Sequence, residues 1–311
     1  MINEKQESLK VKRGQSFLTM GELGKNNQGW LYLVGAIFIF ISWQVAGALF
    51  LAPILIYGVV SGTVDTVATS YPLAWLVSAL LTFSMIWVAA FVVLRWWHQR
   101  PFLTLFTQAP QLRWGRIIES GLVYGVLVLG ASLVEAWWIN PGIYEWSYDP
   151  RWFWLFAGGI LLLVPMQATA EEILFRGYLL QGTALLTRNI WVLSLLNGVL
   201  FMFPHLLNEE VQADPILVPL GFVVSGFFFA YITIMDNGME LAIGAHTANN
   251  IFALLFTNLA NSSLKTAPLF IVKELDAVYS LVSLVVIAVL FTAWFARRRE
   301  SHHQERDIHQ P

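Results

Sequence analysis

Eight apolar stretches of roughly spanning length occupy most of the chain: Trp30 to Val60, Tyr71 to Trp97, Ile117 to Ile139, Trp152 to Gln181, Ile190 to Leu207, Pro215 to Met235, Met239 to Leu259 and Ala277 to Ala296. A lipid core about 30 Å thick is crossed by about 20 helical residues. Within it every backbone polar group must find a partner in the chain, which a helix supplies locally. The pattern predicts an all-α fold, a polytopic integral membrane helical bundle of about eight transmembrane helices. Of the 311 residues, 57% are hydrophobic and 12% charged, about half the charge of an ordinary soluble domain. The formal net charge is −2, and the basic residues are dispersed among short segments, so no nucleic-acid partner is expected. Cysteine is absent, which excludes disulfides, thiolate zinc sites, cysteine nucleophiles and iron–sulfur clusters. A metal, if used, would need histidines and carboxylates.

The polar segment 1–29 carries Lys5, Lys10, Lys12, Arg13 and Lys25 and reads as a disordered cytoplasmic tail. The apolar run behind it is too long for a signal-peptide core and reads as a retained first span. The division expected is N-terminal transmembrane helices over 30–151, a catalytic core over 152–259, a last helix within 260–296 and a polar tail over 297–311. Lys and Arg fall in the N-terminal tail, in Arg95 to Arg116, around Arg176 and Arg188, and at Arg297 to Arg299, while the alternate loops hold Asp65, Glu145, Asp149, Glu209, Glu210 and Asp214. This asymmetry orients a multi-pass protein with both termini cytoplasmic. The segment from Arg100 to Arg116 reads as a connecting loop, or one lying along the interface, anchored by Trp114.

Ionisable side chains in an apolar run are costly, roughly 2.5–3.5 kcal/mol each at a helix centre. Glu171, Glu172 and Arg176 all lie between Trp152 and Leu186. Glu172 and Arg176 share a helix face at four-residue spacing, acid first, the favourable order for an ion pair. Glu171 is turned about 100° away, sharing its face with Gln167, and has no cation within its own helix. It is the better candidate for a base. The next run ends Phe201-Met202-Phe203-Pro204-His205, and the seventh contains His246-Thr247-Ala248-Asn249-Asn250, with His246 and Asn250 on one face. A lone membrane histidine or amide is commonly interhelical glue. Together, however, a carboxylate base, two imidazoles and a carboxamide supply what amide hydrolysis requires: an activated water, oxyanion stabilisation and a proton for the leaving amine.

The ordered trio Glu-Glu-x-x-x-Arg, Phe-x-x-x-His and His-x-x-x-Asn, carried by Glu171, Glu172, Arg176, Phe201, His205, His246 and Asn250, resembles the CAAX protease and bacteriocin-processing family. The resemblance implies an intramembrane endopeptidase acting on membrane-associated peptides or proteins. Glu171, Glu172, His205, His246 and Asn250 would be its catalytic residues, with Arg176 and Phe201 in support. Cofactor use stays open between none and a divalent metal, zinc foremost, held by Glu172, His205 and His246. In the favoured metal-free scheme Glu171 is the base, His205 positions water, and His246 with Asn250 forms the oxyanion hole. The rival readings are a non-catalytic scaffold or immunity protein and a proton- or ion-coupled transporter. Measured from presumed span ends at ~1.5 Å per residue, the site residues differ in depth by ~10 Å, a gap the fold must close.

Overall fold

The computed structural model describes residues 16–308, and the side chains of residues 16–298. All eight apolar stretches form helices: α1 (Gly29–Ser61), α2 (Pro72–His98), α3 (Trp114–Ile139), α4 (Pro150–Thr183), α5 (Ile190–His205), α6 (Leu217–Asp236), α7 (Glu240–Ile251) and α8 (Ala277–Ile308). Among the described residues six helices, α1 to α4, α6 and the Ala277–Arg298 part of α8, are long and apolar enough to cross a membrane. The protein is thus an all-α, multi-pass membrane bundle. Its outward faces keep large apolar side chains exposed, such as Leu33, Leu49, Leu122 and Leu162, as expected where the neighbour is lipid rather than water.

Of the two shorter helices, α5 keeps Trp191, Leu195 and Phe203 exposed, whereas α7 is enclosed by the bundle. Every residue of α7 from Glu240 to His246 is buried, so this helix needs shielding by neighbours rather than spanning length. Its N-terminus is fastened to the start of α3, where Arg113 binds Glu240 through Nε at 2.9 Å and through an Nη at 2.6 Å. Gly121 and Gly244 let α3 and α7 approach closely; a Cβ at Gly244 would collide with the carbonyl oxygen of Ile117. Helices α5 and α6 meet likewise through Gly198 and Gly226, where a Cβ at Gly198 would run into the carbonyl oxygen of Val223.

The loops gather at two ends. At one, the backbone N–H of Phe17 donates to Asn237 Oδ1 at 3.2 Å, and Gln181 donates to the carbonyl of Thr104 at 2.8 Å. At the other, Glu210 accepts from Ser263, and Asn140 donates to Asp276. Here the structure adds what the apolar pattern did not reveal: a three-stranded sheet of β1 (Tyr144–Trp146), β2 (Thr257–Leu259) and β3 (Phe270–Val272), in the order β1-β3-β2. β1 pairs antiparallel and β2 parallel with β3. The expected helical run Met239 to Leu259 therefore ends early, because Thr257 to Leu259 pair with Phe270 to Val272 and Asn258 ties its amide to Leu264 and Thr266.

One expectation about the N-terminal tail also changes. The tail expected to be disordered through residue 29 includes a 3₁₀ helix, Phe17–Leu23, whose Phe17 and Met20 are fully buried against Leu180, Ala184, Leu193 and Ala230. Burial of these apolar side chains stabilises a segment whose overall composition is polar. Residues 1–15 of that tail, and the side chains of the expected C-terminal tail beyond residue 298, lie outside the described residues. The Arg100 to Arg116 segment connects α2 to α3 and packs inward, with Leu105 and Phe106 buried in the central core while Trp114 stays exposed.

Candidate active site

The motif residues converge between α4, α5 and α7. Glu171 and Glu172 stand where the α-helical part of α4 gives way to a π-helical stretch, Ile173–Leu179. Such stretches widen the backbone and expose carbonyls that need another donor. Asn197 on α5 provides one, donating to the carbonyl of Phe175 at 2.7 Å; this fixes the register of α4 just beyond the two acids.

Glu172 and Arg176 are both fully buried and paired at 3.1 Å. The same Glu172 oxygen, Oε1, accepts from His246 Nδ1 at 2.7 Å. Arg176 lies over the ring of Phe201 at 4.4 Å and of Phe229 at 5.1 Å, so aromatic faces supplement its single carboxylate. Phe201 also accepts His205 Nδ1 on its backbone carbonyl at 2.7 Å. The Phe-x-x-x-His motif thus serves both the arginine and the histidine.

These bonds fix the tautomers. A carbonyl or carboxylate oxygen accepts, so Nδ1 of each histidine carries a proton, and in the neutral ring Nε2 is left with a lone pair. Both Nε2 atoms face Glu171: Oε2 lies 3.9 Å from His205 and 3.7 Å from His246. That oxygen is buried and makes no hydrogen bond to a protein group, whereas Oε1 accepts from Gln167 Nε2 at 2.5 Å. Asn250 joins the group by donating to Gln167 Oε1 at 3.1 Å, while Asn249 donates to Asn250 and contacts Tyr124 on the far side. Of the two adjacent amides, Asn250 is therefore the one linked directly to the Glu171 network.

The depth difference expected from span ends does not keep the groups apart, since Nε2 of both His205 and His246 comes within 3.9 Å of Glu171 Oε2. Sequence reasoning gave no role to Phe222 and Phe229, seven residues apart on α6. Phe222 stacks on His205 with ring centroids 4.4 Å apart, and Phe229 stacks on His246 at 5.2 Å. Their two-turn spacing within an aromatic run was the available signal.

The metal set Glu172, His205 and His246 does not fit. Glu172 Oε1 is engaged by Arg176 and by the ring proton of His246, so that oxygen and that histidine are partners rather than co-ligands. No group of three His, Asp or Glu residues able to hold a metal ion occurs among the described residues. Beside the site, an apolar cavity of about 850 Å³ is lined in part by Trp87, Gly121, Met166, Thr169, Thr247 and Ile251. Thr169 and Thr247 lie within two residues of Glu171 and His246.

Residues 150–252 match the family described as type II CAAX prenyl endopeptidase Rce1-like. The chain is also 30% identical over 294 residues to "Uncharacterized protein YyaK" of Bacillus subtilis (strain 168), a match covering 90% of this chain and 96% of that protein. No solved structure matches. The chain belongs to the CAAX protease and bacteriocin-processing family, a family of intramembrane proteases.

Proposed function

We propose that the protein is an intramembrane endopeptidase that hydrolyses peptide bonds of membrane-associated substrates with Glu171 as general base. The observation that carries this reading is the convergence of the two histidine Nε2 atoms on Glu171 Oε2, at 3.9 and 3.7 Å from it. A water donating to Glu171 Oε2 and His205 Nε2 is held by both. As Glu171 takes its proton, the water oxygen's electron pair forms the bond to the peptide carbonyl carbon, and the carbonyl oxygen gains the negative charge. The N–H of Asn250 not used by Gln167 donates to that oxyanion, joined by His246 through Nε2 when this nitrogen is protonated. Collapse of the intermediate breaks the C–N bond, and the proton carried by Glu171 passes to the leaving amine.

Glu172 and Arg176 act one step back, Glu172 by orienting His246 through Nδ1 in the way a buried carboxylate orients a catalytic imidazole. The apolar cavity suits an apolar stretch of substrate chain. With the basic end placed in the cytoplasm, both termini lie there, and the catalytic core is the unit over 152–259.

The test compares purified wild type with Glu171→Gln on tagged membrane peptides, with and without a chelator. The substitution is expected to lower kcat by about 10³-fold, within the range a general base contributes, and the chelator to leave wild-type cleavage unchanged. Equal cleavage by both proteins would remove Glu171 from the chemistry. Inhibition by the chelator, reversed by zinc, would replace the metal-free scheme.

A further inference from the structure

Gln167 stands outside the family motifs, yet its amide is the last link in a chain of four hydrogen bonds that ends on Glu171. Tyr124 of α3 donates its hydroxyl to Asn249 Oδ1 at 3.4 Å. Asn249 Nδ2 donates to Asn250 Oδ1 at 3.1 Å, and Asn250 Nδ2 to Gln167 Oε1 at 3.1 Å. Gln167 Nε2 then donates to Glu171 Oε1 at 2.5 Å. All four bonds run one way, from the tyrosine to the carboxylate.

Chemistry dictates that direction. An ionised carboxylate only accepts, so Gln167 must turn its NH₂ to Glu171 and its oxygen to Asn250. Asn250 must then donate with nitrogen and accept with oxygen, and Asn249 must do the same. The last free acceptor takes the hydroxyl proton of Tyr124. Tyr124 is 2% exposed and Gln167 6%, and Tyr124 is enclosed by Phe228 and Phe291. In such surroundings aligned hydrogen bonds polarise one another.

The chain makes the two oxygens of Glu171 inequivalent. Oε1 is held as an acceptor by Gln167, whereas Oε2 faces the two histidines with no protein donor. A proton abstracted from water therefore lands on Oε2. The same chain commits one N–H of Asn250 to Gln167 and so fixes the plane of the amide whose other N–H is available to an oxyanion. Resting on the hydrolytic reading for its kinetic consequence, we infer that Gln167, Asn249 and Tyr124 are positioning residues that select the basic oxygen of Glu171 and orient Asn250.

The experiment uses the full-length protein in detergent with Gln167→Leu, Tyr124→Phe and the double variant, measuring kcat and KM on a membrane peptide cleaved by wild type. Gln167→Leu is expected to lower kcat about 10- to 100-fold with KM within about threefold, and Tyr124→Phe to lower kcat about 2- to 5-fold, the scale of a lost hydrogen bond to a charged and a neutral group. The double variant should be no slower than Gln167→Leu, because the chain is already cut. In protein labelled with ¹⁵N-glutamine, one side-chain amide proton should resonate downfield of the others, vanish in Gln167→Leu and move upfield in Tyr124→Phe. Multiplicative losses in the double variant, a loss expressed in KM, or an unmoved Gln167 proton in Tyr124→Phe would each overturn the inference. The resonance test uses a variant that keeps the tyrosine ring, so it holds if Gln167→Leu fails to fold. It also decides the chain's existence if wild type cleaves nothing, the outcome that removes the hydrolytic reading itself.

Discussion

Two clusters in this molecule each pair acidic side chains with arginine, and they are balanced differently. At the basic end, Arg113 and Arg116 face Asp236 and Glu240, with ion-pair distances of 2.9 Å from Arg113 to Asp236, 2.6 Å from Arg113 to Glu240 and 2.5 Å from Arg116 to Asp236. Each acid has a cation. The two arginine side chains keep 31% and 21% of their exposure, so they remain partly hydrated. In the centre, one arginine stands beside two acids: Arg176 pairs with Glu172, and both are fully buried. The outer cluster has the balance of a fastening: it holds the start of α7 against α3. The inner one leaves Glu171 with a hydrogen bond from Gln167 and two lone pairs opposite it. A charge deficit in a place where charge is expensive is the signature of a site that does chemistry.

The largest effect that separates the clusters is on stability. Arg176→Met leaves Glu172 buried with only His246, and breaking a buried pair in this way costs roughly 3–5 kcal/mol. Thermal unfolding in detergent should show a large fall in Tm. Arg113→Ala removes a partly hydrated partner from Glu240, whose own side chain is fully buried, and should cost less, about 2 kcal/mol, with cleavage reduced less than tenfold. Salt sharpens the contrast, since exposed pairs are screened and buried ones are not. Raising salt from about 0.05 to 1 M should narrow the gap between wild type and Arg113→Ala while leaving that of Arg176→Met unchanged. Equal Tm losses for the two variants, or equal salt responses, would erase the distinction.

The inner cluster was the more legible of the two from sequence. Glu171, Glu172 and Arg176 stood out because lipid makes charge conspicuous, and helical spacing alone separated the paired acid from the unpaired one. Helix positions followed from apolar run length for the same reason. The outer cluster was hidden because Arg113, Asp236 and Glu240 sit at the ends of apolar runs, where charges are ordinary. The sheet of β1, β2 and β3 was hidden because three-residue strands carry no periodicity to read. Phe17 and Met20 were lost inside a segment whose average is polar. Gln167 was visible on the face of Glu171, but the chain it closes depends on which amides of α7 turn inward, and adjacent Asn249 and Asn250 differ in that only through tertiary contact.

The smallest effect concerns what stands in for the missing second cation. Arg176 is shared by the faces of Phe201 and Phe229, and Phe201 also touches both histidine rings, with centroids 4.5 Å from His205 and 6.0 Å from His246. Phe201→Leu keeps an apolar side chain and the backbone carbonyl that accepts from His205, but it removes one aromatic face from the guanidinium. A desolvated cation–π contact is worth up to about 2 kcal/mol, so the Tm loss should fall below that of Arg176→Met. The cleavage defect should be correspondingly mild, because Glu171 and its two facing nitrogens are left in place. The decisive comparison is a double variant: once Arg176 is methionine, Phe201→Leu has no cation to desert and should cost only its packing. If the ring costs as much without the arginine as with it, the aromatic faces are ordinary core, and the central deficit of charge is met by Glu172 and His246 alone.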